Sequence, residues 1–267
     1  MPRLAREDGV EIHWEQRGAG PLVVLAGYWS MHPSALDPLA AELGRDHRVL
    51  RYDDRGSGDS TRRGPYDAET GAGDLAAVIE AAGGAAVAVA IADGTNRAVR
   101  VAARRPELIE ALVAIGTAPI GRVAIAGSEA LASSRSVVAA LERQIETDYR
   151  GALRGLLASA NEQMSADELR QRVQDQVTYT PAEVALERMH AYGADDPIEF
   201  GQALAGRLWV LVSETVAGGW LPSGEEMVAI TAEMFPQAHL ERIDRGIVSD
   251  PAQVAGIIRG ITRGSRP

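Results

Sequence analysis

Short apolar runs bounded by turn residues alternate with segments whose apolar residues fall three and four apart. No other feature of the chain constrains its fold as strongly. The runs are VEIHWEQ (10–16), PLVVLAG (21–27), RVLRYDD (48–54), AAVAVAIA (85–92), EALVAIG (110–116), RLWVLVSE (207–214) and HLERID (239–244). Between them ALDPLAAELG, AGDLAAVIEAAG, NRAVRVAARRP and PAQVAGIIRGIT carry helical spacing. Strands alternating with helices predict an α/β fold, with a mostly parallel sheet flanked by helices on both faces.

Between about Gly121 and Gly206 the alternation stops and three helical patterns follow one another: SEALASSRSVVAALERQIETDYRGALRGLLAS, SADELRQRVQDQV and TPAEVALERMHAYGA. Open α/β sheets bind ligands at the carboxyl ends of their strands. An all-helical insert between two strands is therefore read as a lid over that edge. The division is a core of residues 1–120 and 206–267 with a helical lid of 121–205, without repeats or low-complexity tracts.

Composition narrows the chemistry. Cysteine is absent and all 27 basic residues are arginine, which removes disulfides, thiolate and Schiff-base chemistry and cysteine-ligated metals. A net charge of −10 without a basic block argues against nucleic acid and anionic membranes as partners. MPRLARED lacks an apolar signal core, and no apolar run approaches the roughly 18 residues of a membrane span. A cytoplasmic location is expected, and a homodimer is compatible with all of this. No H-x-H, H-E-x-x-H or calcium-loop pattern stands out, the acids of GADDP read as a helix-ending turn, and GAG and GSG lack dinucleotide spacing. Neither metal nor cofactor is expected.

Three local matches carry a resemblance. LAGYWS (25–30) looks like a turn that supplies an oxyanion-hole amide, Asp53 to Ser60 fits D-x-R-G-x-G-x-S, and Ala92 lies fourteen residues before Pro106 in a strand-turn-helix that ends ARRPE. In this order they resemble the α/β-hydrolase fold over nearly the whole chain. The resemblance implies a strained G-x-S-x-G elbow bearing the nucleophile. The counterpart here is Ala90-Ile91-Ala92-Asp93-Gly94, with small flanks and alanine at the nucleophile position. The acid position aligns with Val216, with Glu214 two residues early, and the histidine position with Ile247. A triad with all three members replaced forfeits about 10⁶ in turnover. A register with Asp93 as nucleophile, as in epoxide hydrolases and haloalkane dehalogenases, would flank it with the β-branched Ile91 and Thr95.

What the resemblance leaves is an oxyanion hole made by the amides of Asp93 and Tyr28. His32 and His190 are the histidines expected to reach the pocket; His13, His47 and His239 are expected away from the carboxyl edge. Tyr28, Trp29, Tyr179 and Trp220 are expected to wall the pocket around Ala92, and Arg97 is expected to be exposed. Asp53, Asp54 and Arg55 are expected to be mostly structural. The expected function is non-covalent, non-hydrolytic chemistry of the cyclase, isomerase or lyase type on a small apolar carbonyl or polycyclic compound, with Asp93, Tyr28 and His32 as catalytic residues. A catalytically inactive ligand-binding pseudoenzyme and an epoxide or halide hydrolase with Asp93 as nucleophile are the alternatives.

Overall fold

The computed structural model describes residues 2–121, 132–160, 164–213, 223–243 and 250–264. Eight strands form one sheet: β1 (Arg3–Ala5), β2 (Glu11–Arg17), β3 (Leu22–Ala26), β4 (Arg48–Tyr52), β5 (Ala86–Ile91), β6 (Ile109–Ile115), β7 (Leu208–Ser213) and β8 (His239–Ile243), in the order β1-β2-β4-β3-β5-β6-β7-β8. From β4 to β8 every pairing is parallel, while β2 runs antiparallel to both β1 and β4. The expected α/β sheet is therefore present, with β1 as an additional edge strand.

Alternation within the central strands sorts their side chains between two layers of helices. In β5, Ala86, Ala88 and Ala90 face the cluster that holds Leu75 and Ile79 of α2 (Ala68–Ala81) and Val99 of α3 (Asp93–Arg104). Val87 and Val89 point to the opposite face, where Leu39 and Leu43 of α1 (Asp37–Leu43) pack. A row of methyl groups on one face lets α3 settle close to the sheet. At Gly94, in its first turn, an added Cβ would stand 2.6 Å from the carbonyl oxygens of both Ala26 and Gly27, so only glycine fits there.

Between β6 and β7 lie α4 (Ala132–Ala160), α5 (Ala166–Tyr179), α6 (Ala182–Ala194) and α7 (Ile198–Leu204). Leu141, Ile145, Tyr149, Leu153, Val173 and Met189 from α4 to α6 build a third apolar cluster that closes over Trp29. The seven-residue α7 belongs elsewhere: Phe200 packs against α3, its ring 4.9 Å from the Arg100 guanidinium carbon and 5.0 Å from that of Arg104. After β7 come α8 (Gly224–Met234) and, beyond β8, α9 (Pro251–Gly264), which buries Val254, Ile258 and Ile261 beside α1. Among the described residues no helix is long and apolar enough to cross a membrane.

Candidate active site

The sheet delivers β5 to its carboxyl edge at Ile91, and the chain reverses into α3 through one residue. Ala92 has φ 49 and ψ −123, a sparsely populated conformation that costs a non-glycine residue about 1–3 kcal/mol. The elbow is held by Thr95 N donating to Ala92 O at 2.8 Å and by the close seat of Gly94. Ala92, not Asp93, occupies the strained position, so the register that would make Asp93 the nucleophile does not arise. Ala92 presents a methyl group and no nucleophile.

β3 ends alongside. Ala26 pairs with Ala90, which puts Tyr28 and Ala92, each two residues further on, in adjacent turns. Among the described residues neither the Tyr28 amide nor the Asp93 amide has a hydrogen-bond partner. The Asp93 side chain, 6% exposed, fastens the two turns: Oδ1 accepts from Trp29 N at 2.7 Å, and Oδ2 pairs with Arg97 Nη1 at 2.5 Å. Its carboxylate is thus directed at the neighbouring loop.

Arg97, expected at the surface, is 5% exposed and central to the site. Its Nη2 donates to Gly27 O at 2.7 Å and to Asp54 Oδ2 at 3.0 Å. The error has a simple source: the start of α3 is covered by the β3 and β4 turns, which helical periodicity does not report. Burial pushes the Asp93 carboxyl up from its ordinary value, with Arg97 and Arg188 pulling against it. Burial alone would lower Arg97, but Asp54 and Asp93 hold it well above its usual range. It is a permanent cation.

Tyr28 is half-buried in the second turn, its hydroxyl accepting from Gln176 Nε2 at 3.5 Å. Burial, and then the charge of Asp93, raise its pKa, so the phenol keeps its proton at neutral pH. Trp29 is buried under the third cluster, 6.4 Å from the Tyr149 ring. His32 caps the 3-10 turn Pro33–Leu36: its Nδ1 lies 3.2 Å from Ser34 N and 2.8 Å from Ser34 Oγ. His190 is exposed on α6 and is not among the residues that line the cavity beside Tyr28. Trp220, Glu214, Val216 and Ile247 lie outside the described residues.

One cluster at this edge was expected elsewhere. Only residues 18–21 separate β2 from β3, too few for a parallel crossover, which needs a dozen or more. β2 must therefore run against β3, and its N-terminal half lies level with the carboxyl end of β4. His13 is brought to Asp53, with Nδ1 2.8 Å from Oδ2 and His13 O accepting from Asp53 N at 2.9 Å. Tyr179 of α5 donates to Asp53 Oδ1 at 2.8 Å, and its ring meets His32 edge-on at 5.2 Å. The connector length was the available signal. Donor atoms of His13, Asp53 and Asp59 lie within 4.8 Å of one another, and those of His13 and Asp53 are engaged by these hydrogen bonds. His47, bonded to Asp46 and Thr262, and His239, stacked on Trp209, sit away from the carboxyl edge as expected.

Arg55 ties the β4 turn to its neighbours. Arg55 places two hydrogen bonds on Asp74 of α2 and one on Asp8. The insert is fastened to the same turn: Tyr179 O accepts from Gly58 N at 2.8 Å, and Ser57 Oγ meets Thr180 Oγ1 at 2.7 Å. Between them remains a cavity of about 30 Å³, lined by Gly27, Tyr28, Tyr52, Asp54, Tyr179 and Arg188. A larger groove of about 310 Å³ lies between α2 and α3, but its charged rim is internally paired, Arg104 with Glu69 and Arg105 with Glu80.

No protein-family model matches this chain, and no curated protein matches it in sequence. Solved structures do match. An esterase from Exiguobacterium antarcticum aligns with a TM-score of 0.82 at 15% identity, covering 97% of this chain and 98% of that one. A bromoperoxidase from Bacillus anthracis aligns at 0.79 and 18%, covering 95% and 96%. An enol-lactonase from Burkholderia xenovorans LB400 aligns at 0.69 and 22%, covering 98% of each. The chain has the α/β-hydrolase fold.

Proposed function

We propose that this α/β-hydrolase-fold chain is an enzyme that acts on a small carbonyl compound without a covalent intermediate, by chemistry of the cyclase, isomerase or lyase type. One observation carries the reading: the strained elbow is kept at Ala92 although no nucleophile stands there, and the amides of Asp93 and Tyr28 beside it are unpartnered among the described residues. A turn that costs stability and holds two free donors suits a developing oxyanion. Esters and lactones are the carbonyl compounds named for several structural neighbours, which agrees with an oxygen-binding turn retained after the nucleophile is gone.

In this reading the Asp93 and Tyr28 amides hold the carbonyl oxygen, and the protonated Tyr28 phenol supplies a further donor. The Asp93 carboxylate acts as a tie between the turns, because both oxygens are occupied. His32, edge-on to the Tyr179 ring that lines the cavity, is the nearest imidazole on the oxyanion-turn side. A ligand-binding protein without chemistry is the second reading, favoured by the small cavity and the pairing of most buried charges.

Proton NMR in deuterated water tests the choice, following α-proton exchange in a panel of small ketones, esters and lactones. Exchange that depends on the protein and falls at least roughly tenfold in Tyr28→Phe is expected, the low end for a lost acid-base group. Binding without exchange or conversion across the panel would establish the second reading. A covalent adduct in intact-mass spectra after incubation with an ester or epoxide would overturn both.

A further inference from the structure

We infer that the carbonyl compound bound here is an oxo acid and that Arg188 of α6 recognises its carboxylate; this deepens, and rests on, the carbonyl-binding reading above. Four arginines are buried among the described residues: Arg55, Arg97, Arg100 and Arg188. The first three hydrogen-bond directly to carboxylates, Arg55 to Asp74, Arg97 to Asp93 and Asp54, and Arg100 to Asp195. Arg188 has no such bond. Its Nη1 donates to Trp29 O at 3.1 Å and Ser57 Oγ at 3.2 Å, and its Nη2 to Arg55 O, all neutral acceptors.

The nearest carboxylate oxygen, Asp54 Oδ2, is 3.9 Å away and already accepts from Arg97 at 3.0 Å. A guanidinium has five N–H donors, so two remain without a partner among the described residues. Burying a cation is costly unless an anion meets it in hydrogen-bond contact. Arg188 also lies over the Tyr66 ring at 6.0 Å and within reach of the charges of Asp54 and Asp93, but at 5% exposure its remaining N–H groups are placed to hydrogen-bond an anion that comes from outside the chain.

The cavity beside it fits that anion. Tyr52, 8% exposed, lines the same space beside Asp54 and Arg97, and among the described residues its buried hydroxyl has no partner at hydrogen-bond geometry. A volume of about 30 Å³ has room for about one or two water-sized oxygens, the scale of a carboxylate's end. Phosphate brings a third terminal oxygen and a second charge beside Asp54, so the planar monoanion is the better match. Tyr28 lines this cavity as well, and Arg188 is bonded to the carbonyl of Trp29, the next residue in the oxyanion turn. An anion seated there brings the rest of the ligand to that turn.

Calorimetry on the full chain at pH 7 tests this with pyruvate, methyl pyruvate, propanoate and inorganic phosphate. Pyruvate is expected to bind at least roughly tenfold more tightly than its methyl ester, as a charge-assisted bidentate contact requires. Arg188→Gln should erase that preference by weakening the acid far more than the ester, a selectivity that a merely structural arginine would not carry. Tyr52→Phe, which removes only one hydroxyl, should weaken pyruvate about threefold or more and decides the matter if Arg188→Gln fails to fold. Equal affinity for acid and ester, an undiminished preference in Arg188→Gln, or tighter binding of phosphate than of pyruvate each overturns the inference. Acid and ester bound equally, with exchange intact, would leave the carbonyl reading standing. Propanoate bound as tightly as pyruvate would keep Arg188 as a carboxylate site and remove the carbonyl reading.

Discussion

Replacing Arg97 by leucine withdraws the guanidinium that Asp93 and Asp54 share. Three contacts go together: 2.5 Å to Asp93, 3.0 Å to Asp54 and 2.7 Å to Gly27 O. Leucine keeps part of the apolar stem, which α2 needs because Gly71 is packed onto Arg97 Cδ, so the loss is mainly electrostatic. Removing one partner of a buried pair costs about 3–5 kcal/mol, a large share of the roughly 5–15 kcal/mol that holds a domain folded. Urea unfolding followed by tryptophan fluorescence should therefore show a destabilisation of about 3–5 kcal/mol at pH 8.

The pH dependence sharpens the test. Burial already raises Asp93 in the native protein, and without Arg97 its folded pKa rises further above the unfolded value. The folded variant then binds more protons than the unfolded chain, so its stability falls as pH rises through that folded pKa. The loss caused by the substitution should be smaller at pH 5 than at pH 8, and Asp93→Asn added to Arg97→Leu should recover part of it. A loss below about 1 kcal/mol at pH 8, where breaking a buried pair predicts several times that, would refute the reasoning. So would a loss that grows on acidification.

Two further predictions follow from packing and charge. Gly94→Ala drives a Cβ to 2.6 Å from two backbone carbonyl oxygens and should cost about 3 kcal/mol. Gly155→Ala in exposed α4, where nothing lies within 4 Å, should stabilise by about 0.5–1 kcal/mol; equal Tm shifts in the two variants would contradict the close seat of α3. Burial raises Glu15, but the hydrogen bonds and charges of Arg51 and Arg17 together outweigh it and leave it below its ordinary 4.5. Its contribution is present above the unfolded pKa and lost as pH falls through the folded one, so Glu15→Gln should flatten the acid limb of the stability profile. An unchanged limb in urea melts between pH 6 and 3 would discount the pair.

The elbow illustrates what local reading reaches. The run AVAVAIADG shows a strand with alanine on one face and a glycine two residues past the turn, and the structure uses both, the methyl row to admit α3 and Gly94 to seat it. The helical insert was legible as a change of period, although α7 turned out to pack on α3. His13 was legible only through the short connector after β2, because periodicity says nothing about strand direction.

The sequence by itself determined most of the alternation of strands and helices and narrowed the elbow to Ala92 or Asp93, since both are written in residue type and spacing within a short window; the backbone of Ala92, at φ 49, decided between them. Tertiary structure alone decided that Arg97 is buried between two aspartates, that His190 faces solvent, and that Arg188 reaches the sheet edge with only neutral acceptors in hydrogen-bond contact. These depend on which face of a helix meets residues tens of positions away. That choice is made by packing and by the pairing of buried charge, and neither leaves a local pattern to read.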